Sequence, residues 1–434
     1  MTKECSPREL ALDVLLAVTR DGEYSHIALK NTLDKYQYLE KQERAFLTRL
    51  VEGTLENMIR IDYILNAFSK TKVHKMKPVI RCILRSGVYQ ICFMDAVPDS
   101  AACNEAVKLA GKRGFHTLKG FVNGVLRNIA RNKENIVYPS EETEWEKYLS
   151  VMYSLPEWLV QQWEEEYGRK ATKEMAQAFL EEKPTCIRVN TEQITKKALI
   201  EELRTEGITV MESQALEEAL YISGYDYLNK ISAFRKGYFY IQDISSMMVA
   251  RTADPQKGNL ILDVCAAPGG KSIHMAQLMQ GTGRVIARDL TPYKVALIEE
   301  NIRRCKVTNM EAECADARIF DAAMEEKADI VIADLPCSGL GVIGKKKDIK
   351  YKMTKEKEAE LVRLQREILE TAVRYVKPQG KLLYSTCTIH RAENEENAAW
   401  LAEHFPELDL ISQKQIFPGE QGNDGFFIAG FRKK

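Results

Sequence analysis

Two cysteines fifty residues apart, each closing an apolar run, are the residues of this chain best placed to do chemistry. Ile330-Val331-Ile332-Ala333 leads into Asp334-Leu335-Pro336-Cys337-Ser338-Gly339, and Lys381-Leu382-Leu383-Tyr384 into Ser385-Thr386-Cys387-Thr388. Each reads as a short buried strand that finishes in polar residues and a thiol. Open α/β sheets bind ligands outside the carboxyl ends of their strands. Two thiols there, beside the carboxylate of Asp334, suit nucleophilic attack on an electrophilic carbon. Cysteine is also a common buried small hydrophobe, so the surrounding sequence has to decide between the two readings.

A ligand site is written upstream. Leu260-Ile261-Leu262-Asp263-Val264 is followed by Cys265-Ala266-Ala267-Pro268-Gly269-Gly270-Lys271-Ser272, which reads as strand, tight loop and helix start. The paired glycines remove side chains where a ligand must approach the backbone. The loop matches neither the dinucleotide glycine fingerprint nor the phosphate-binding glycine–lysine loop. Asp263, Asp289, Asp316 and Asp334 end four successive predicted strands. Asp289 stands near the offset at which an acid meets ribose hydroxyls. A rim of carboxylates suits a nucleoside that carries a positive charge.

The elements that must position these residues fall into three patterns. Residues 1–139 read as all helix, with apolar stripes over Arg8–Thr19, Lys41–Leu55, Ile59–Phe68, Pro78–Met94 and Phe115–Arg131, and an Asp99-Ser100 cap opening one more. Pro139 and an acidic run mark a boundary. Residues 140–236 read as helices broken at Pro156 and Gly168, then a small α/β unit with strands at Cys186–Asn190 and Ile208–Val210 around a helix over Thr195–Glu206. From Gly237 to Lys434 strands and helices alternate, the signature of a Rossmann-like, doubly wound sheet.

Composition bounds the function class. With 434 residues, 45% hydrophobic and 29% charged, the chain is a multidomain globular protein without an apolar run long enough to span a bilayer. The opening stretch Met1–Pro7 lacks the basic-then-apolar pattern of a secretion signal. Ten cysteines without a framework spacing fit a reducing cytoplasm, and six scattered histidines give a metal site little support. Net charge is zero, but residues 1–139 carry 22 basic against 15 acidic side chains, and residues 140–235 carry 11 against 19. A basic front is compatible with an RNA partner.

The cysteine motifs and the loop at 265–271 together resemble the RNA cytosine-C5 methyltransferases. Residues 1–139, with Arg81-Cys82-Ile83-Leu84-Arg85-Ser86-Gly87-Val88-Tyr89-Gln90 and Phe121-Val122-Asn123-Gly124-Val125-Leu126-Arg127-Asn128, resemble the helical RNA-binding domain of NusB. The pairing is that of bacterial enzymes acting on 16S ribosomal RNA, and the likeness spans nearly the whole chain. It implies S-adenosylmethionine as cofactor, with Cys265, Ala266, Ala267, Pro268, Gly269, Gly270 and Lys271 holding its methionine end. Asp289 would bind the ribose, Asp316 would lie near the adenine, and Asp334 would border both cofactor and base. Cys387 would be the nucleophile and Cys337 the residue that assists release. The implied target is the cytosine conventionally numbered 967, in free RNA or an assembling small subunit. A transfer RNA cytosine, or a non-catalytic ribosome assembly factor, are the alternatives.

The chain departs from the family pattern at Leu335, where a proline is common, and at Gly344-Lys345-Lys346-Lys347, where arginines are. Beside a base pocket, the run Lys345–Lys352 is expected to touch phosphates. Glu393-Asn394-Glu395-Glu396-Asn397 reads as an acidic first helical turn. A dinucleotide oxidoreductase is disfavoured by the loop, and adenine-N6 methylation by Cys337 where a stacking aromatic would stand.

Overall fold

The computed structural model describes residues 6–434, so most of the stretch read for a secretion signal lies outside the described residues. The chain divides into two compact units, 6–180 with 343–352, and 181–342 with 353–434. The segment 140–236, expected to form a unit of its own, is shared between them.

The first unit is helical. Its main helices are Pro7–Thr19, Ser25–Lys35, Lys41–Glu56, Met58–Phe68, Pro78–Phe93, Asp99–Lys112, Lys119–Asn132, Trp145–Tyr153 and Glu157–Ala178. The apolar stripes of the first seven meet in one core around Leu15, Leu47, Val51, Ile83, Val88, Leu126 and Ile129. Pro78–Phe93 starts on a proline, which loses no hydrogen bond at a first helical position. Its Arg85 reaches out of the core to grip both oxygens of Asp62, at 2.7 and 2.6 Å. The cap expected at Asp99-Ser100 is instead Pro98, with Asp99 in the first turn. Ser25–Lys35 has no side-chain cap and buries little beyond Ser25, Ala28 and Leu29, which is why periodicity alone does not reveal it.

Ile343–Lys352 belongs to this helical unit although it follows the first cysteine motif in sequence. Asp348 accepts from the Ser25 hydroxyl (2.5 Å) and backbone N–H (3.2 Å). The Tyr351 hydroxyl donates to the Leu55 carbonyl at 2.8 Å, and the Lys350 ammonium to that of Glu56 at 2.9 Å. These carbonyls end the helix Lys41–Glu56, where the dipole favours a cation. Lys350 is nonetheless fully buried, and burial pushes its amine down to about 7.

The second unit holds two sheets. In the smaller, β1 (Thr185–Val189), β2 (Thr209–Glu212), β3 (Ala219–Ser223) and β4 (Phe239–Ile241) are antiparallel in the order β2-β3-β1-β4. The helix Lys196–Thr205 packs on it, capped by the Thr195 hydroxyl, which accepts from the Ala198 N–H. The larger sheet contains β5 (Leu260–Asp263), β6 (Arg284–Asp289), β7 (Met310–Cys314), β8 (Ala328–Asp334), β9 (Val376–Thr386), β10 (Leu408–Ile416) and β11 (Phe426–Lys433). Its order is β10-β11-β9-β8-β5-β6-β7. The five strands from β9 to β7 run parallel, and β10 and β11 add an antiparallel edge. The chain runs from β5 outward to β7 and then returns to β8 on the other side of β5. That reversal opens a crevice beyond the carboxyl ends of β5 and β8.

Candidate active site

Three of the four strand-end acids close their strands as expected: Asp263 on β5, Asp289 on β6 and Asp334 on β8. Asp316 lies two residues beyond β7, where Arg318 grips it with both side-chain donors. Sheet order sets the four side by side from Asp334 through Asp263 and Asp289 to Asp316.

The loop Cys265–Lys271 folds over this edge. Asp289 accepts from the Ala267 N–H at 2.9 Å and from the Leu290 N–H at 2.8 Å, which ties the loop to β6. Gly269 has φ +101° and opens the helix Gly270–Leu278. Only glycine takes that conformation without strain. A side-chain carbon on Gly270 would lie 2.9 Å from the Tyr240 ring, so the loop is packed tightly from below. The loop thus presents bare backbone and a helix N-terminus toward the crevice. Leu290, Tyr293 and Ile319, exposed just past β6 and β7, offer apolar surface next to the carboxylates of Asp289 and Asp316. Carboxylates for hydroxyls, apolar faces for a base and open backbone for a polar tail fit a nucleoside with an amino-acid arm.

Burial pushes Asp263 up to about 7, even though the Ser272 hydroxyl (2.5 Å) and the Cys265 N–H donate to it. Burial, with Asp263, Asp289 and Asp334 nearby, also raises the Cys265 thiol, so that cysteine stays neutral.

The two motif cysteines come together. Cys337 Sγ and Cys387 Sγ are 3.4 Å apart. Beside them, Asp334 accepts from the Lys271 ammonium (2.7 Å) on one oxygen and from the Ser385 hydroxyl (2.7 Å) on the other. Burial penalises the Lys271 ammonium, but Asp334 outweighs it, with Cys387 and Asp263 adding, and the amine sits above its ordinary value. The hydrogen bond with Cys387 holds the Cys337 thiol well above its ordinary value, with burial and the charges of Cys387 and Glu393 adding. The two sulfurs are close enough to share one proton, and Cys387 is the thiol of the pair whose charge favours the Lys271 ammonium. Gly341 closes the floor: its N–H donates to the Cys387 carbonyl at 3.1 Å, and a side chain there would strike the backbone of Gly425.

Glu393, read from sequence as part of an acidic first helical turn, is fully buried. It stands in a short 3-10 turn before the helix Glu395–His404, and its carboxylate accepts from Ser338, Gln365 and His390. Asn394 is buried too. An acidic cluster after a strand carries no sign of such burial. The available signals were adjacency to Cys387 and the likeness of Glu393–Asn397 to a pattern of the RNA cytosine-C5 methyltransferases, against which the helical-turn reading was preferred.

The lysine run also differs from expectation. Lys347 pairs with Glu56, Lys350 is buried, and Lys352 donates to the Gly22 carbonyl at 3.1 Å and pairs with Asp348 at 2.9 Å. Only Lys345 and Lys346 of the run are exposed. Among the described residues, no group of three or more His, Cys, Asp or Glu could hold a metal ion, and no helix is long and apolar enough to cross a membrane.

Comparison with known proteins decides the family. Residues 250–432 match the 16S rRNA methyltransferase RsmB/F model, residues 6–131 the NusB family, and residues 155–225 the ferredoxin-like domain of RsmF/B-like methyltransferases. A probable ribosomal RNA small subunit methyltransferase B of Bacillus subtilis is 38% identical, with all of both chains covered. The ribosomal RNA small subunit methyltransferase B of Vibrio cholerae is 30% identical over 92% of this chain and 91% of its own. The chain belongs to the RsmB/F methyltransferase family. Among solved structures, that of PH0851 superposes with a TM-score of 0.85 at 26% identity, covering 99% of each chain. NSun6 from Pyrococcus horikoshii with SFG gives 0.58 at 25% identity, over 65% of this chain and 99% of its own. As an RsmB/F methyltransferase the protein uses S-adenosylmethionine, and the crevice above β5 has the groups to take it.

Proposed function

We propose that this protein methylates C5 of a cytosine in 16S ribosomal RNA, of the 967 type, through a covalent bond between Cys387 and C6 of the base. The observation that carries the reading is the thiol pair at 3.4 Å, with the Lys271–Asp334 ion pair beside it. We place the reaction in the cytoplasm, on free 16S RNA or an assembling small subunit, with the helical front unit adding grip on RNA.

The residues divide the work as follows. Cytosine C5 is a poor nucleophile until a thiolate adds at C6. Cys387 acts as the attacking thiolate, supported by its charge interaction with the Lys271 ammonium and by Cys337 Sγ at 3.4 Å, within reach to donate to it. Asp334, with both oxygens already accepting, is suited to accept from the cytosine amino group as well. Loop 265–271, Asp289 and Asp316 hold S-adenosylmethionine, which when bound supplies a methyl carbon that the activated C5 can attack. With Cys387 tied up as a neutral thioether, the main influence raising the Cys337 thiol is gone. Cys337 can then lose its proton to solvent and take the one on C5. The C5–H electrons form the C5–C6 double bond, the C6–sulfur bond breaks, and the pair returns to a Cys387 thiolate beside a Cys337 thiol.

The test separates the two cysteines. Cys337→Ala should accumulate a protein–RNA adduct that survives denaturing gels, whereas Cys387→Ala and the double variant should form none. The reverse pattern would exchange the two roles. Absence of any adduct and of any methylation would favour a non-catalytic assembly factor. Bisulfite sequencing of total RNA with and without the gene identifies the target. Loss of a 16S cytosine mark supports the reading, and loss of a transfer RNA mark refutes the substrate.

A further inference from the structure

Each of the two thiols is held by hydrogen bonds to the residues on either side of it, and the groups that make those bonds converge on one short turn. Around Cys337, the Gln365 amide donates to the Pro336 carbonyl at 2.9 Å, and Glu393 accepts from the Ser338 N–H at 2.9 Å and from its hydroxyl at 2.5 Å. Gln365 also donates to Glu393 at 2.9 Å, so the two grips are joined. Around Cys387, Asn394 accepts from the Thr386 hydroxyl at 2.5 Å and donates to the Thr388 carbonyl at 3.1 Å. The Ser338 and Thr388 hydroxyls meet at 2.7 Å and close the circuit between the residues that follow each cysteine. Ser338, Gln365, Thr386, Thr388, Glu393 and Asn394 are all fully buried.

We propose that Glu393 and Asn394 are positioning residues that set the separation of the two thiols, Glu393 by fixing the Cys337 loop and Asn394 by fixing the end of β9 at Cys387.

The physical case rests on what these groups replace. Neither cysteine lies inside a strand, so no ladder fixes it; Cys337 is three residues past β8 and Cys387 one past β9. Backbone bonds such as Gly341 N–H to the Cys387 carbonyl hold part of this loop backbone, and the buried side chains satisfy the residues on either side of each thiol. A buried carboxylate carries a desolvation cost that is met only when its oxygens are filled. Glu393 fills them with donors from three different segments: Ser338, Gln365 and His390. The Tyr384 hydroxyl also donates to the Glu393 carbonyl, which pins the turn itself. Groups bearing on the thiols from the packed elements are Cys387, Lys271, Asp334 and Tyr384, with His390 and Glu358 behind Glu393. An error of about 1 Å in such a pair costs on the order of a hundredfold in rate.

This inference rests on the reaction proposed above for its adduct arm, and stands without it for a second arm. In the full-length protein, Glu393→Gln presents an amide NH2 to one of the donors now facing a carboxylate. It should slow the diamide-driven oxidation of Cys337 and Cys387 to a disulfide by about tenfold or more, read by peptide mass spectrometry. Glu393→Asp should recover part of that rate, and S-adenosylmethionine affinity should be unchanged in both. With RNA, Glu393→Gln should accumulate adduct as Cys337→Ala does, because release is impaired, whereas Asn394→Ala should lower adduct formation, because attack is impaired. A general loss of fold would move both variants in the same direction and reduce cofactor affinity, and would overturn the proposal. So would a disulfide rate in Glu393→Gln equal to that of the parent protein. If no variant forms an adduct, Cys337→Ala included, the covalent reading fails and the disulfide rates alone decide this one.

Discussion

Replacing Lys271 by methionine and Asp334 by asparagine should move the reactivity of Cys387 in opposite directions. The ammonium of Lys271 lies 2.7 Å from Asp334, and both Asp334 and Cys387 favour its charged form. Interaction energies are mutual, so an ammonium favoured by a Cys387 thiolate favours that thiolate equally. A unit pair at about 4 Å and an effective dielectric of about 20 interacts by roughly 4 kcal/mol. Solvent at a half-buried thiol and competition from Asp334 reduce this to on the order of 1–2 kcal/mol, about one pK unit. Lys271→Met should therefore raise the Cys387 pKa and slow its alkylation by iodoacetamide at neutral pH by about tenfold. Asp334→Asn removes the competitor and should lower the pKa by a smaller amount. The assay is the alkylation rate of Cys387 across pH, read by peptide mass spectrometry in a Cys337→Ala background, so that one thiol at the pair is left. Removing one partner of a buried pair costs about 3–5 kcal/mol; Asp334 keeps the Ser385 hydroxyl and a side chain 28% exposed, which puts this loss at the low end. An unmoved pH midpoint in folded Lys271→Met would mean that the ammonium serves Asp334 alone, and the electrostatic argument for Cys387 as nucleophile would fall.

Three further outcomes are expected. Gly269→Ala forces a side chain into φ +101° and should cost about 1–2 kcal/mol of stability and most S-adenosylmethionine affinity; unchanged binding in calorimetry would move the cofactor elsewhere. Lys350→Met keeps the packing while removing a buried amine, so the unfolding free energy from urea titration should change by less than about 1 kcal/mol and the salt slope of RNA binding should stay put, whereas Lys346→Gln should flatten that slope. Asp263, pushed up to about 7 by burial, keeps a proton in the native state that the unfolded chain loses near about 3.9. Native protein thus binds more protons between those values, and this group's contribution to stability falls as pH rises from about 4 to about 7. His274, pushed down to about 3 by burial, slopes the opposite way, so the quantity to read is the difference between parent and Asp263→Asn in urea midpoints across that window. A difference that does not vary with pH would refute it.

What the sequence disclosed and what it hid have separate physical causes. Strands β5 and β8 and the second half of β9 are apolar runs buried on both faces, so they were legible within a few residues, whereas the polar, partly exposed start of β9 was not. The tight loop 265–271 was legible because its glycines stand where the backbone takes φ +101° or packs closely on Tyr240. Strand β10 was not, because it is an edge strand with a mostly exposed pattern, Leu408 and Ile416 being its buried ends. Its place depends on pairing with β11.

The lysine run and Glu393 misled for one shared reason. A charge in a sequence reads as solvent-facing because burying it is costly, and the compensation that makes burial tolerable comes from residues far away in the chain. Lys350 finds the end of a helix nearly 300 residues upstream, and Glu393 finds Ser338 fifty-five residues before it. Neither partner is marked by any local pattern. The residues that fix the thiols are therefore invisible to the periodicity that places the strands beneath them. The two thiols were found because cysteine chemistry announces itself. The carboxylate and amide that hold them look, in sequence, like an ordinary polar turn.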